Sequence, residues 1–243
     1  MKKILFILSF CVSLFAKDLI VGMELVYPPF EMSDKDGKPS GFSVDFLEKF
    51  AKENNLNLVV KNIAWDGLIP ALKTKKIDLI MSSMTITKER LKTLDFTIPY
   101  AKTKLAILVP INSDVKTLKD LDGKTIALKI GTSAHLYADK YLKNAKINVF
   151  DNENAAILEV IQAKADAFFY DQMSIYKIWQ KNKTKTRALF NEFKGQEEYW
   201  GIALRKDETA LKQKLDEFIK KSEKDGFLDQ LKAKYLKELK NDF

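Results

Sequence analysis

The chain has 243 residues, of which 46% are hydrophobic and 30% charged, with a formal net charge of +8. That length suits one large domain or two modest ones, and the balance suits a packed, water-soluble core rather than a disordered chain. The basic residues are scattered among acids, as in KKSEKDG and LKELKND, which marks solvated helix faces and argues against a nucleic-acid-binding stripe.

The start, MKKILFILSFCVSLFAKD, reads as a secretory signal peptide over residues 1–16. Lys2 and Lys3 form a positive leader, Ile4 to Phe15 form a short apolar stretch, and Ala16 is the cleavage residue, although Leu14 is larger than the residue preferred at its position. No later segment approaches the length of a membrane span, so the mature protein is expected to be soluble and exported to the periplasm. Cys11 is the only cysteine, and the bulky Phe10 before it argues against lipoprotein processing. With the leader gone, neither a disulfide nor thiol chemistry is expected. Removing Lys2 and Lys3 from the 41 basic residues leaves 39 against 33 acids, a net +6.

In chain order, DLIVGM predicts a strand and FSVDFLEKFAKENN a helix, with Val44, Leu47 and Ala51 on one face beside Phe46 and Phe50. LNLVVKN predicts a strand, WDGLIPALKTKK a helix capped by Asp66, and IDLIMSS a strand. This β-α-β-α-β order predicts a mainly parallel sheet covered by helices. After an extended segment, IPYAKTKLAILVP, the order recurs: KTIALKI, TSAHLYADKYLKN, KINVFD, NAAILEVIQAK and ADAFFYD. LIPALKTKKIDLIMSS and ILEVIQAKADAFFYD share one plan: helix, lysine-bearing turn, an Asp just inside the strand, four apolar residues, then polar groups. Two similar α/β lobes are expected. EEYWGIALRKD is a second extended run before two final helices, so the chain crosses between the lobes twice. Lobe I is then 17–101 plus 200–243, and lobe II is 102–199. Two crossing strands make a hinge suited to closing on a ligand.

Ligands of open α/β sheets bind beyond the C-terminal ends of the strands. There the sequence places Glu24 and Tyr27, then Ser82, Ser83 and Thr85 with Arg90 on the next turn. The second lobe offers Lys129, then Thr132 and Ser133 opening a helix, and Tyr170 with Asp171. Arg90, hydroxyls and helix N-terminal amides suit a carboxylate, and Asp171 suits an ammonium. Opposite charges on opposite lobes would hold a zwitterion. Each residue also has a plainer reading. Thr87 and Ser133 are good N-caps, and Arg90 has Glu89 and Asp95 as surface partners. Tyr27 and Trp65 are either core aromatics or cleft walls.

Other chemistries fail on the residues. Gly123-Lys124-Thr125 resembles part of a phosphate loop, but Leu118 stands where that loop needs glycine. His135 is the only histidine, so a nitrogen- or sulfur-rich metal site is not expected, and no nucleophile-elbow motif accompanies it. A surface or capping role is expected for it instead.

The runs YPPFE, GFSVDFLEKFAKE, WDGLIPALKTKKIDLIMSSMTITKERLKTLDFTIPY, DLDGKTIALKIGTS, ADAFFYD and GIALRKDETALKQKLDEFIKKSEKDG resemble periplasmic solute-binding proteins of polar amino acid ABC transporters. That group includes glutamine- and lysine/arginine/ornithine-binding proteins. The resemblance implies an α/β, two-lobe periplasmic-binding-protein fold (type II) with mixed, mainly parallel sheets and a two-strand hinge. It implies that Arg90 takes the ligand α-carboxylate with help from Thr85 and the Ser133 region, and that Ser83 and Asp171 receive the α-ammonium. Tyr27 and Trp65 would sandwich the side chain, with Glu24 and Lys129 at its tip. Three arrangements of the last pair stay open. They bind the two ends of a primary amide, or Glu24 holds a cation while Lys129 turns away, or they neutralise each other and leave a pocket for a small polar side chain. A glutamine-like side chain is expected first and a basic amino acid second. The implied partners are an amino acid and an ABC permease/ATPase complex, with a monomeric protein and no cofactor or metal. A cyclohexadienyl dehydratase-like enzyme on the same scaffold and a detached sensor for a receptor are the alternatives.

Overall fold

The computed structural model of the protein describes residues 16–236; apart from Ala16, the signal-peptide reading lies outside the described residues. The first lobe opens with β1 (Lys17–Met23) and a small antiparallel sheet of β2 (Val26–Tyr27), β3 (Glu31–Ser33) and β4 (Pro39–Ser40). Then come α1 (Phe42–Glu53), β5 (Leu56–Asn62), α2 (Trp65–Lys73), β6 (Leu79–Ile80), the single turn α3 (Lys88–Leu91) and β7 (Asp95–Phe96). The long strand β8 (Ala101–Pro110) carries the chain into the second lobe. That lobe contains β9 (Thr125–Lys129), α4 (Ser133–Tyr141), β10 (Lys146–Phe150), α5 (Glu153–Ile161), β11 (Ala167–Asp171), α6 (Gln172–Lys181) and β12 (Thr186–Leu189). β13 (Glu197–Trp200) leads back, β14 (Ala203–Leu204) joins the first sheet, and α7 (Thr209–Lys224) and α8 (Phe227–Tyr235) pack together, with α8 also against α1. Among the described residues, no helix is long and apolar enough to cross a membrane.

The face read from α1 is the buried one: Val44, Phe46, Leu47, Phe50 and Ala51 all face the core, together with Phe42 and Ser43. The helix read over 65–76 is shorter. Thr74 turns its hydroxyl back onto the Pro70 carbonyl, and Lys75 takes a left-handed φ of 60°, which ends the helix at Lys73. Asp66 is not its cap. The N-cap position is Ala64, and Asp66 lies in the first turn.

The sheet orders are β5-β1-β6-β14-β7 and β10-β9-β11-β8-β12, with β13 added on β8. β1 runs parallel to β5 and β6, and β9 runs parallel to β10 and β11, as the β-α-β pattern requires. The other half of each sheet is antiparallel, because β8 and β14 enter after the chain has crossed between lobes rather than through a helical crossover. The repeated aspartate has the same structural task in both lobes. Asp78 Oδ2 accepts the Ile20 amide at 2.8 Å, and Asp166 Oδ2 accepts the Thr125 amide at 2.8 Å. Each therefore clips its strand onto the middle strand of the parallel group. The two crossings run side by side, with Trp200 opposite Ala101 and Glu197 opposite Lys104.

Candidate functional site

The C-terminal ends of β1, β6, β9 and β11 converge on one cleft between the lobes, with about 480 Å³ of empty space that includes open solvent. A volume of that order suits a small molecule. Its wall in the first lobe starts at Glu24, whose amide donates to Ser82 Oγ at 3.0 Å. The Glu24 carboxylate accepts the Trp65 amide at 3.2 Å, so a long-range side chain, not Asp66, satisfies the start of α2. Tyr27 is buried against Phe30, Tyr170 and Trp200, with ring centroids 5.7–6.1 Å apart, and serves as both core aromatic and cleft wall. Trp65 is half-buried, 5.4 Å from the Arg90 guanidinium.

Ser83 takes a left-handed φ of 49° and donates its hydroxyl to Glu31 at 3.1 Å. Glu31 is fully buried and also receives the Ser43 hydroxyl. Burial pushes its pKa up to about 8, so it holds a proton at neutral pH. Thr87 caps α3 through the Arg90 amide, as its plainer reading anticipated. Arg90 itself is not a surface residue. It is 5% exposed, and its guanidinium donates to the Thr85 carbonyl at 2.6 Å and, across the cleft, to the Gly131 carbonyl at 2.9 Å. Burial lowers its pKa to about 10, which leaves it cationic at neutral pH.

On the second lobe, Lys129 is wholly buried and its ammonium meets the Glu24 carboxylate across the cleft. Of the three arrangements open for this pair, the structure has the mutual neutralisation. Lys129 consequently underlies the cleft instead of lining it. Gly131 has a φ of 67°, a conformation that side chains rarely adopt, at the turn whose carbonyl meets Arg90. Thr132 caps α4 by accepting the His135 amide at 3.2 Å, which leaves the Ser133 hydroxyl outside the cap. His135 is half-buried and takes the Gly131 amide on Nδ1 at 3.0 Å, a turn-stabilising role. Asp171 caps α6 through the Ser174 amide at 3.0 Å, and burial raises its pKa.

Eleven of the twelve residues read from the sequence thus line one cleft, Tyr170 among them, and the twelfth, Lys129, pairs with one of them. Three lining residues were not anticipated: Leu105, Trp200 and Glu198. Glu198 Oε2 accepts the Thr85 hydroxyl at 3.1 Å and the Ser133 hydroxyl at 2.9 Å. Burial raises its pKa, against the pull of those hydroxyls and of Arg90. Among the described residues, the acids lining the cleft are therefore Glu24, Asp171 and Glu198, and the one lining cation is Arg90, with Lys129 beneath. Glu153 adds a further acid near Lys129 and Tyr170, with its pKa pushed to about 7 by burial. Among the described residues, no group of three or more His, Cys, Asp or Glu is placed to hold a metal ion.

Polar groups of both signs on facing lobes, aromatic walls and a two-strand crossing suit the cleft to a small charged molecule. Known proteins resemble this chain in sequence and fold. The probable histidine-binding protein of Campylobacter jejuni is 35% identical over 221 residues, covering 89% of this chain and 84% of that protein. The L-cystine-binding protein TcyJ of Escherichia coli is 30% identical over 219 residues, covering 89% of this chain and 82% of that protein. The solved structure of an ancestral arginine-binding protein bound to arginine superposes with a TM-score of 0.82 at 32% identity, covering 91% of this chain and 99% of that one. Residues 19–238 match the bacterial extracellular solute-binding proteins, family 3, and the chain belongs to that family.

Proposed function

We propose that the protein is the exported binding component of an amino acid ABC importer, and that its preferred ligand is a cationic amino acid such as arginine, lysine or histidine. The carrying observation is the charge balance of the cleft. Glu24, Asp171 and, near Lys129, Glu153 stand against Arg90 and Lys129, an excess of one negative charge when Glu153 is ionised, and Glu198 adds a second while it is turned into the cleft. A zwitterion with a neutral side chain leaves that excess in place, whereas a side-chain cation offsets it. This reading replaces glutamine as first expectation, because the Lys129 ammonium and one Glu24 oxygen are already paired with each other rather than offered to an amide. The histidine- and arginine-binding relatives support the same choice. Arg90 takes the α-carboxylate with Thr85 and Ser133, Asp171 the α-ammonium, and Tyr27 and Trp65 flank the side chain. Lobe boundaries at 101/102 and 199/200 put the bending points where Ala101 pairs with Trp200.

A thermal-shift screen of the twenty amino acids and cystine tests the reading, since a ligand at ~1,000 times its Kd stabilises the native state by about 4 kcal/mol. The largest shifts are expected from cationic amino acids. A screen led by glutamine or by an acidic amino acid would overturn the assignment. Prephenate and arogenate incubated with the protein are expected to be recovered unchanged, and their turnover would favour the dehydratase alternative.

A further inference from the structure

Glu198 is assigned no contact with the ligand above, yet it holds two residues that are. Its Oε2 accepts one hydroxyl from each lobe, Thr85 at 3.1 Å and Ser133 at 2.9 Å, beside the Arg90 guanidinium. Thr85, Ser133 and Arg90 are the groups assigned to the ligand α-carboxylate. A carboxylate of the protein's own therefore occupies the hydrogen-bond donors meant for a carboxylate. We propose that Glu198 is a built-in competitor for the α-carboxylate subsite, one that clasps the two lobes together and swings aside as the amino acid enters. The competitor half of this inference rests on the proposed role of the Arg90 subsite.

The donor count supports exchange rather than sharing. Each hydroxyl has a single hydrogen to give, and both are given to the same Glu198 oxygen. A second carboxylate brought to that point would find no free hydroxyl and would meet a like charge. Glu198 sits where the cleft wall meets exposed neighbours. Its residue is only half-buried, between the exposed Glu197 and Tyr199, on the strand where the chain crosses between lobes. Competition lowers apparent affinity in proportion to the fraction of molecules whose anchor is held by Glu198. Such a device loosens the grip on a ligand that must be handed on.

Calorimetry with L-arginine, L-lysine and L-histidine on the wild type, Glu198→Ala and Glu198→Gln tests the competition. The alanine variant is expected to bind the preferred ligand about tenfold more tightly, equivalent to about 1.4 kcal/mol, with the glutamine variant between it and the wild type. Unchanged or weaker binding by the alanine variant would overturn the proposal, and weaker binding would instead make Glu198 a ligand contact. The clasp has its own readout. Spin labels at K52C on α1 and K140C on α4, in a C11S background without added amino acid, should report longer interlobe distances when Glu198→Ala is added. An unchanged distance distribution would sink the clasp. If none of the three amino acids binds the wild type, the cationic-ligand reading falls, while the distance measurement still decides whether Glu198 holds the lobes.

Discussion

Glu31 lies fully buried beneath the cleft, with hydroxyls of Ser43 and Ser83 on its carboxyl and with burial setting its pKa at about 8. The perturbation of interest is Glu31→Gln, which keeps the shape and the acceptor oxygen and removes the titration. Between pH 4.5 and pH 8 the native protein carries a proton on Glu31 that the unfolded chain has released. Stability must therefore fall as pH rises through this window, by about 1.4 kcal/mol for each pH unit. From pH 5 to pH 7.5 the wild type loses roughly 3 kcal/mol relative to the variant by this route, an upper bound because local water entry relaxes a buried charge. For a chain of this size that corresponds to about 6–12 °C in Tm. Paired thermal melts of the two proteins at half-unit pH steps measure the difference, in which the other titrating groups largely cancel. The Tm gap in favour of Glu31→Gln should widen steadily with pH and level off near pH 8. A gap that stays flat from pH 5 to pH 8 would show that Glu31 titrates as an ordinary carboxylate, and the assignment of a buried neutral acid under Ser83 would fail.

Arg90→Ala should weaken amino acid binding by about two to three and a half orders of magnitude in calorimetry, in line with roughly 3–5 kcal/mol for a buried pair that loses one partner; wild-type-like affinity would remove Arg90 from the anchor. Asp171→Asn separates charge from capping, since asparagine caps helices as well as aspartate does. It should leave the melting temperature near or above that of the wild type while binding falls about ten- to hundredfold, the worth of a charge-assisted hydrogen bond; an unchanged Kd would count against the ammonium role. Lys129→Met strands the Glu24 carboxylate and should destabilise the fold by roughly 3–5 kcal/mol, and adding Glu24→Gln should restore most of it. Denaturant melts of the two single variants and the double variant would measure that coupling, and additive effects would mean the pair does not interact.

The cleft was legible in the sequence because it obeys a rule about strand ends. Glu24, Ser82, Lys129 and Asp171 each end or follow a short apolar run, and a parallel strand so marked must deliver its next residues to one edge of the sheet. What the rule cannot report is partnership. Lys129 and Glu24 stand 105 positions apart, and nothing in either neighbourhood says that the two neutralise each other. Glu198 was hidden for a different reason. It sits in EEYWGIALRKD, an extended run that marks a crossing but does not say which of its side chains faces the cleft, and the pairing of Glu198 with Thr103 on β8 brings it there. Glu31 was hidden by its company, a PPFEMSDKDG loop whose composition reads as surface; in the structure it belongs to β3, folded back over α1 so that Ser43 and Ser83 can reach it. The Asp66 cap was misread because a local side chain was given a task that the distant Glu24 performs.

That last misreading exposes how the site is built. The helix starts around the cleft are satisfied by residues that also form its wall. Glu24 takes the first amide of α2, Thr132 caps α4, and Asp171 caps α6. An acid at a helix N-terminus is favoured by the dipole, so Glu24 and Asp171 are held by the scaffold whether or not a ligand is bound. Each is thereby fixed in direction before any amino acid arrives, which spares the ordering entropy that a free side chain would lose on binding. Burial nonetheless raises the pKa of Asp171 despite the helix, so that carboxylate is oriented but under-compensated. A cation placed against it supplies what the helix dipole does not. The same economy explains why the hydroxyls of Thr85 and Ser133 are engaged by Glu198 rather than left bare in a half-dry cleft. Unpaired donors there would carry a desolvation penalty, and a carboxylate from the crossing strand removes it until a carboxylate from outside takes over.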